Sequence, residues 1–273
     1  MGLTGLVRPF PDMRTQYVEI AVLGPVRVEG LSNPFRRSAA LDLVVYLAFH
    51  PEGVRHADWP IALWPDKPVS LPTVHSTASD ARRALGRAQD GRPHLPRGTS
   101  LRLGPSVSSD VERFERLASS GDPEKLVEAM TLIRGPLFAG LRRADWTILE
   151  GVQPRVEALV VETALRAADE AIRAGRATNG ESLIRRALLV SPFDERLYRA
   201  LLRTTHAQGD RARLRVTMAQ LVRLAGVGEP SWAGGTSRRD VVAELGALHP
   251  ETADVYRDLL TAAPATGAYP TRQ

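Results

Sequence analysis

The chain has no cysteine and few aromatic residues, which make up 5% of its 273 positions. Without cysteine there are no disulfide bonds and no thiolate metal sites, a composition typical of proteins that fold in a reducing compartment. No apolar run approaches the roughly 18 residues that a membrane-spanning helix needs. The N-terminal residues also lack the apolar core of a signal peptide. We therefore expect a cytoplasmic protein with no membrane segment in this chain.

The motifs of catalysis are missing as well. The sequence has no GxxxxGK[ST] phosphate-binding loop, no cluster of His or Cys at metal-ligand spacing and no recognisable Ser/His/Asp constellation. Paired acids such as Glu112 and Glu115 have basic neighbours three or four residues away, which is typical of ion pairs on the surface of helices. The sequence therefore predicts a protein that is not an enzyme and needs no cofactor.

What the chain does have is a local excess of arginine. Its formal net charge is +5, and the stretch from Arg82 to Arg102 alone carries six arginines against one acid, Asp90. Positive charge at this density favours a polyphosphate partner, although a solvated arginine-rich face would give the same count. This stretch is the first place to look for an acidic partner.

The first hundred residues have the pattern of a winged helix-turn-helix. Alternating apolar residues from Tyr17 predict two short strands on either side of Gly24-Pro25. Apolar spacing then predicts helices at 39–50, 56–64 and 73–86, and a hairpin or strand-turn-strand at 94–107. One side of the third helix carries small apolar residues, and the other side is polar and basic. The apolar residues are Val74, Ala78, Ala81 and Leu85.

From Asp110 onward the pattern changes to long helices. Asp110 is expected to cap the first of them, and one apolar stripe predicts a single helix over 146–175. Helices then recur in pairs of about tetratricopeptide length. The predicted fold class is mainly α with a small β component: an N-terminal winged helix-turn-helix followed by an all-α tetratricopeptide-like helical array. The predicted division is a flexible leader at 1–16, a winged-helix domain at 17–108, a helical domain at 109–262 with a loop at 226–240, and a disordered tail at 263–273.

Five segments in order resemble a known family. They are VLGPVRVEG at 22–30, ARRALG at 81–86, VSSDVERFERL at 107–117, IRGPLFAG at 133–140 and SPFDERLYRALL at 191–202. Together they are similar to bacterial transcriptional activator domain proteins of the Streptomyces antibiotic regulatory protein family, over about 18–225 and the final helix. The resemblance implies a transcriptional regulator that binds direct repeats in double-stranded promoter DNA and recruits RNA polymerase, with the helical domain serving polymerase contact or a homodimer.

The resemblance also implies which residues face DNA. In the family the third helix enters the major groove and the hairpin touches the adjacent minor groove. Carried over to this sequence, the DNA-binding residues are Thr73, His75, Ser76, Ser79, Arg82 and Arg83 on the helix, and Arg97, Thr99 and Arg102 on the wing.

Asp80 departs from the family pattern, in which a basic residue is common at this position. A carboxylate on the DNA-facing surface would repel phosphates, so Asp80→Arg is expected to tighten binding. The alternative is a protein–protein interaction module that has lost DNA binding, such as the cytoplasmic part of a larger actinobacterial signalling or membrane protein, whose activator-type domains the chain also resembles. Trp232, an indole in a Gly-rich loop, is the candidate contact for a protein partner.

Overall fold

The structure is a computed structural model that describes residues 17–225 and 248–262. The predicted leader, the loop at 226–240 and the tail lie outside these described residues. Most described residues are helical, and the strands are few and short, as expected from the sequence.

The chain forms two compact units. Unit 1 holds described residues up to Arg113 and then Leu137–Pro154, and unit 2 holds Phe114–Pro136 and the described residues from Arg155 on. The sequence predicts one boundary between residues 108 and 109, whereas contacts place residues 137–154 with the N-terminal elements.

Unit 1 contains the strands and the first three helices. In chain order its elements are β1 (Val18–Ala21), β2 (Arg27–Glu29), α1 (Ser38–Ala48), β3 (Val54–Arg55), α2 (Trp59–Leu63), α3 (Leu71–Leu85), β4 (Ser100–Leu101), β5 (Val107–Ser109), the start of α4 (Asp110–Ser119), and α6 (Asp145–Leu149).

The strands of unit 1 pair across long sequence distances. β1 lies between β2 and β5, antiparallel to β2 and parallel to β5. β4 pairs antiparallel with β3, so that Leu101 lies opposite Val54. The predicted hairpin at 94–107 is therefore wrong: its two strands join different sheets instead of each other. We call residues 94–107 the wing segment.

The core of unit 1 is built on α1 and α3. All of Leu43, Val44, Val45 and Leu47 on α1 are buried, and the four small apolar residues predicted for the inner face of α3 are buried too. Pro60 and Pro72 each lie in the first turn of their helix, where a missing N–H costs no hydrogen bond. α3 ends at Gly86, whose φ of 74° favours glycine, and a Cβ there would overlap the hydroxyl of Ser32.

Residues 137–154 complete this core. Trp146 is 1% exposed and packs edge-on against Tyr46 with ring centroids 4.9 Å apart. The guanidinium of Arg143 pairs with the buried carboxylate of Asp42 at 2.7 Å. Burial raises the pKa of Asp42, and the hydrogen bond from Arg143 opposes that rise. Unit 1 therefore depends on residues that follow Pro136 in the chain.

The junction between β5 and α4 differs from the predicted cap. Ser109 Oγ accepts from the backbone N–H of Glu112 at 3.1 Å, and Glu112 Oε2 accepts from the N–H of Ser109 at 3.0 Å, which is a capping box. Asp110 is 2% exposed and accepts instead from the N–H groups of Val22 and Leu23. Asp110 thus joins α4 to the end of β1.

Unit 2 is helical throughout its described part. It holds most of α4, then α5 (Pro123–Thr131), α7 (Val152–Arg173) from Arg155 on, α8 (Ala177–Ala187), α9 (Glu195–Ala207), α10 (Arg211–Leu224) and α11 (Pro250–Thr261). The single helix predicted over 146–175 is wrong, because the chain turns at Gly151, with φ 71°, and forms α6 and α7 instead.

Successive helices of unit 2 pack side by side. α8 packs against α9, α9 against α10, and α11 against α9. Gly180 lets α8 approach the side chain of Thr204 and the backbone of Ala168 closely. Glu181 is 5% exposed and binds Arg185, Gln208 and Arg213, which lie on α8, after α9 and on α10. This arrangement is the predicted tetratricopeptide-like stacking of helices.

Candidate nucleic-acid interface

A cleft of about 900 Å³ separates α3 from the wing segment. We call it the wing cleft. Its lining includes four arginines and two histidines and no acidic side chain. The lining residues are His56, Val74, His75, Ala78, Ser79, Arg82, Arg83, Gly86, Arg87, Pro93, Leu95, Arg97 and Gly98. Five of the nine residues that the sequence predicts for DNA contact therefore meet in one place.

Arg82 is a half-buried arginine of the wing cleft. Its Nε is buried and has no hydrogen-bond partner among the described residues. Burial, together with the charge of Arg97, lowers the pKa of Arg82 from its ordinary value. Two like charges near each other, with no acid in the lining, make this cleft favourable for an anion.

His75 and Ser79 are exposed on the outer face of α3 and line the same cleft. Thr73 lies two residues nearer the start of α3 than His75, and its hydroxyl is 3.0 Å from that of Ser70, the residue at the N-cap. Ser76 donates to the carbonyl of Thr73 at 3.0 Å and lies outside the wing cleft. The two side chains best placed for contact on this side of α3 are thus His75 and Ser79.

Arg83 is held by the protein itself. Its Nη2 donates to Asp80 Oδ1 and to the carbonyl of Pro34, each at 2.6 Å. Its side chain is 28% exposed, so it lines the cleft with only part of its surface. A contact of Arg83 with phosphate stays a prediction.

Asp80 is not on the exposed face of α3, and the sequence-based placement is wrong. It is 7% exposed, and its Oδ2 accepts from the backbone N–H groups of Arg36 and Arg37 at 2.9 and 3.0 Å. Burial by itself would raise the pKa of Asp80, but the hydrogen bonds from Arg83 and from these two amides outweigh it and lower the pKa. The prediction that Asp80→Arg tightens binding is therefore wrong in its premise, since an arginine would remove the acceptor of three donors.

On the wing segment the predicted residues separate. Arg97 lines the wing cleft, whereas Thr99 and Arg102 are exposed but do not line it. The ring Nε2 of His56 lies 3.1 Å from the carbonyl of Gly98, which ties the tip of the wing segment to the residues before α2. Sequence reasoning missed His56, because its place in the cleft depends on a contact 42 residues along the chain.

Arg87 is a second residue missing from the predicted set. It lies two residues beyond the end of α3 and lines the wing cleft, while its Nη1 donates to the carbonyl of Gly91 at 2.7 Å. The signal for it was present, because Arg87 belongs to the run of arginines after α3. Arg92 of the same run is exposed, pairs with Asp90 and does not line the cleft.

A smaller cleft of about 260 Å³ lies along the other flank of α3. We call it the loop cleft. It is lined by Arg36, Arg37, Ser76, Ser79, Asp80 and Arg83. Sequence reasoning gave no role to Arg36 and Arg37, which precede α1 and come close to α3 only in the folded chain.

Other predicted sites are limited by what is described. Trp232 lies outside the described residues. No group of His, Asp or Glu in 17–225 and 248–262 could hold a metal ion. Among the same residues, no helix is both long and apolar enough to cross a bilayer.

Comparisons with known proteins agree with the sequence resemblance. The family model described as "Bacterial transcriptional activator domain" matches residues 109–216. No curated protein matches the chain. A solved structure of Mycobacterium tuberculosis EmbR in complex with a low-affinity phosphopeptide has the same fold, with a TM-score of 0.56 and 21% sequence identity. That match covers 90% of this chain and 65% of the EmbR chain, so this chain spans about two thirds of that protein.

These matches confirm two predictions. The fold class is confirmed: an N-terminal winged helix-turn-helix followed by a tetratricopeptide-like helical array, mainly α with a small β component. The resemblance to bacterial transcriptional activator domain proteins is confirmed as well.

Proposed function

We propose that this chain is a transcriptional activator that binds double-stranded DNA through unit 1, since residues 109–216 match the bacterial transcriptional activator domain model. In this proposal α3 enters the major groove, the wing segment contacts the adjacent minor groove, and unit 2 contacts RNA polymerase or a second copy of the chain. The target is promoter DNA with direct repeats.

The observation that carries this proposal is the wing cleft. Four arginines line it without one acidic side chain, and the Nε of Arg82 has no partner in the described chain. A phosphodiester backbone supplies the missing negative charge, and release of its counterions makes such contacts favourable. An uncharged or cationic ligand would leave Arg82 and Arg97 uncompensated.

The residues that line the wing cleft fall into two sets, one suited to contact with bases and one suited to contact with phosphates. His75 and Ser79 stand on the exposed face of α3, where a side chain can donate to or accept from base edges in the major groove. Arg97, at the tip of the wing segment, is suited to a phosphate or a narrow minor groove. Sequence preference then comes from α3, and much of the affinity comes from the arginines.

For unit 2 the support is two large apolar side chains that stay exposed. Phe193 and Leu189, in the connection between α8 and α9, are 72% and 49% exposed. Large apolar side chains that stay exposed in a folded unit often mark a protein contact. Light scattering of the protein–DNA complex and transcription assays with purified RNA polymerase distinguish a second copy from the polymerase as the partner.

The test of DNA binding is selection from random duplexes with the full chain, followed by anisotropy titrations at 0.15 M salt. We expect an enriched duplex to bind at least about 1,000-fold more tightly than random duplex. Arg97→Ala should reduce the salt slope, d log K/d log[salt], by about 0.9, whereas Arg92→Ala, a matched arginine outside the cleft, should change it little. Equal affinity for enriched and random duplexes would contradict sequence-specific recognition. Absence of binding would favour the protein-interaction alternative.

A further inference from the structure

The exposed ridge of α3 has a cleft on each side. Ser79 and Arg83 line both clefts, whereas His75 lines only the wing cleft and Ser76 only the loop cleft. Ser79 therefore lies on the exposed side of α3, between the wing cleft and the loop cleft. The arginines of the wing cleft all lie in one stretch of sequence, from Arg82 to Arg97, whereas Arg36 and Arg37 of the loop cleft lie far from α3 in the sequence.

The loop cleft carries a net positive charge. Three guanidinium groups and one carboxylate line it, which leaves a net +2. The carboxylate is already saturated, since Asp80 accepts from Arg83 and from two backbone amides. Arg36 and Arg37 are both exposed, and no acid is paired with either guanidinium among the described residues. The cleft can therefore accept an anion without losing an existing ion pair of Arg36 or Arg37.

The loop that carries these two arginines is fixed to α3 at several points. The backbone N–H of Ser32 donates to the carbonyl of Ala84 at 2.9 Å, and Asn33 Nδ2 donates to the carbonyl of Arg83 at 3.0 Å. Asp80 then holds the amides of Arg36 and Arg37. Because the hydrogen bonds to Arg36 and Arg37 use their backbone amides, the backbone of the loop is held in place. The guanidinium groups of both arginines remain available to bind a ligand.

A helix that lies in the major groove has a phosphodiester backbone on either flank. The groove is about 12 Å wide, close to the 10–12 Å diameter of an α-helix with its side chains. Cations on one flank alone would engage one strand, and cations on both flanks engage both strands. The two clefts of α3 match the second arrangement.

We infer that the loop cleft is a second phosphate site, in which Arg36 and Arg37 bind the backbone of the DNA strand opposite the one held at the wing cleft, and that Asp80 is the positioning residue of this site. The inference rests on the proposed DNA-binding function. In this inference Asp80 favours DNA binding and does not repel the phosphates. Its carboxylate faces away from the DNA and positions Arg36 and Arg37 towards it.

The test is the salt dependence of duplex binding by the full chain, measured by fluorescence anisotropy between 0.05 and 0.3 M salt. The double variant Arg36→Ala/Arg37→Ala keeps both backbone amides and hence the bonds to Asp80, so unit 1 stays folded. We expect a salt slope smaller by about 1.8 and a loss of affinity of about 10- to 30-fold at 0.15 M salt, for enriched and random duplexes alike.

The matched control is Arg116→Ala/Lys125→Ala, which removes two positive charges from exposed positions on α4 and α5 of unit 2. It should leave the salt slope nearly unchanged. If this control lowers the slope as much as Arg36→Ala/Arg37→Ala, net charge explains the effect and the inferred site is wrong.

Asp80→Asn tests the positioning role. A residue that only stabilises the fold would lower the midpoint of unfolding and leave the salt slope unchanged, which would overturn that role. A positioning residue lowers the slope, and its effect is not additive with Arg36→Ala/Arg37→Ala in a double-mutant cycle.

The outcomes separate the two proposals. If the unmodified chain binds duplex and Arg97→Ala weakens it while Arg36→Ala/Arg37→Ala does not, the DNA-binding function stands and the loop cleft is not a phosphate site. If the unmodified chain binds no duplex, both proposals fall.

Discussion

At the scale of single residues, the buried carboxylate of Asp80 holds the loop before α1 against α3. Ser79 on one side of it is exposed, and Arg83 lies one turn further on. Thr77, Asp80 and Ala84 are all buried, and they follow the helical spacing of three and four that marks a covered stripe. What covers the stripe is the loop before α1, more than 40 residues earlier, which the local pattern cannot reveal.

The lowered pKa of Asp80 predicts how acid affects stability. A carboxylate whose pKa is lower in the folded than in the unfolded chain stabilises the fold above the unfolded value, and this contribution is lost as the pH falls through the folded value. We expect Asp80→Asn to lower the free energy of unfolding by about 1–3 kcal/mol at pH 7. The difference from the unmodified chain should shrink below the ordinary carboxyl pKa of 3.8.

Urea titrations followed by tryptophan fluorescence measure this effect. Trp59 and Trp146 are buried in unit 1 and report on its unfolding. Asp66→Asn is the control, because Asp66 is exposed and should change stability by less than about 0.5 kcal/mol. A difference between Asp80→Asn and the unmodified chain that is the same at pH 3 and pH 7 would contradict the role given to the ionised carboxylate.

At the scale of elements, the buried faces of the helices were predictable from the sequence, and the connections between elements were not. The inner face of α3 follows from the spacing of four small apolar residues, all of which are buried. The wing segment was misread because β4 has only two residues, and its partner β3 lies more than 40 positions earlier. The break at Gly151 was missed because the helical spacing of apolar residues continues on both sides of it. This spacing gives no indication that a single residue has a positive φ.

The joint between β5 and α4 gives a prediction at this scale. Asp110→Ala leaves the buried N–H groups of Val22 and Leu23 without their acceptor, so we expect a loss of about 2–4 kcal/mol in the free energy of unfolding. Ser109→Ala removes only one cap acceptor and should cost about 1 kcal/mol. The half-buried neighbour Ser108 offers the control, Ser108→Ala. Urea unfolding that ranks Ser109→Ala above Asp110→Ala would show that Asp110 is not the anchor of α4.

At the scale of the whole molecule, unit 1 is assembled from two separate stretches of chain. A fragment of residues 1–113 keeps β5 and Asp110 but lacks Arg143, the partner of Asp42, and Trp146, which packs on Tyr46. We expect this fragment to lose cooperative unfolding and DNA binding, because a buried carboxylate without its partner costs several kcal/mol. A fragment of residues 1–154 should keep both properties.

Circular dichroism during thermal unfolding and anisotropy with labelled duplex compare the two fragments directly. Cooperative unfolding of the 1–113 fragment, with the DNA affinity of the longer one, would show that residues 137–154 are dispensable for unit 1. The sequence alone could not predict this dependence, since IRGPLFAG and the residues after it lie inside the stretch that matches the activator family.

The return of the chain to unit 1 at Leu137 also limits how such proteins can be recombined. Chain segments belonging to the two units alternate, so a single crossover between two related genes cannot exchange one complete unit for another. A crossover after Arg113 would combine α3 and the wing segment from one parent with the Trp146 and Arg143 that complete the core of unit 1 from the other. We expect chimaeras to fold only when residues 137–154 are exchanged together with the N-terminal stretch.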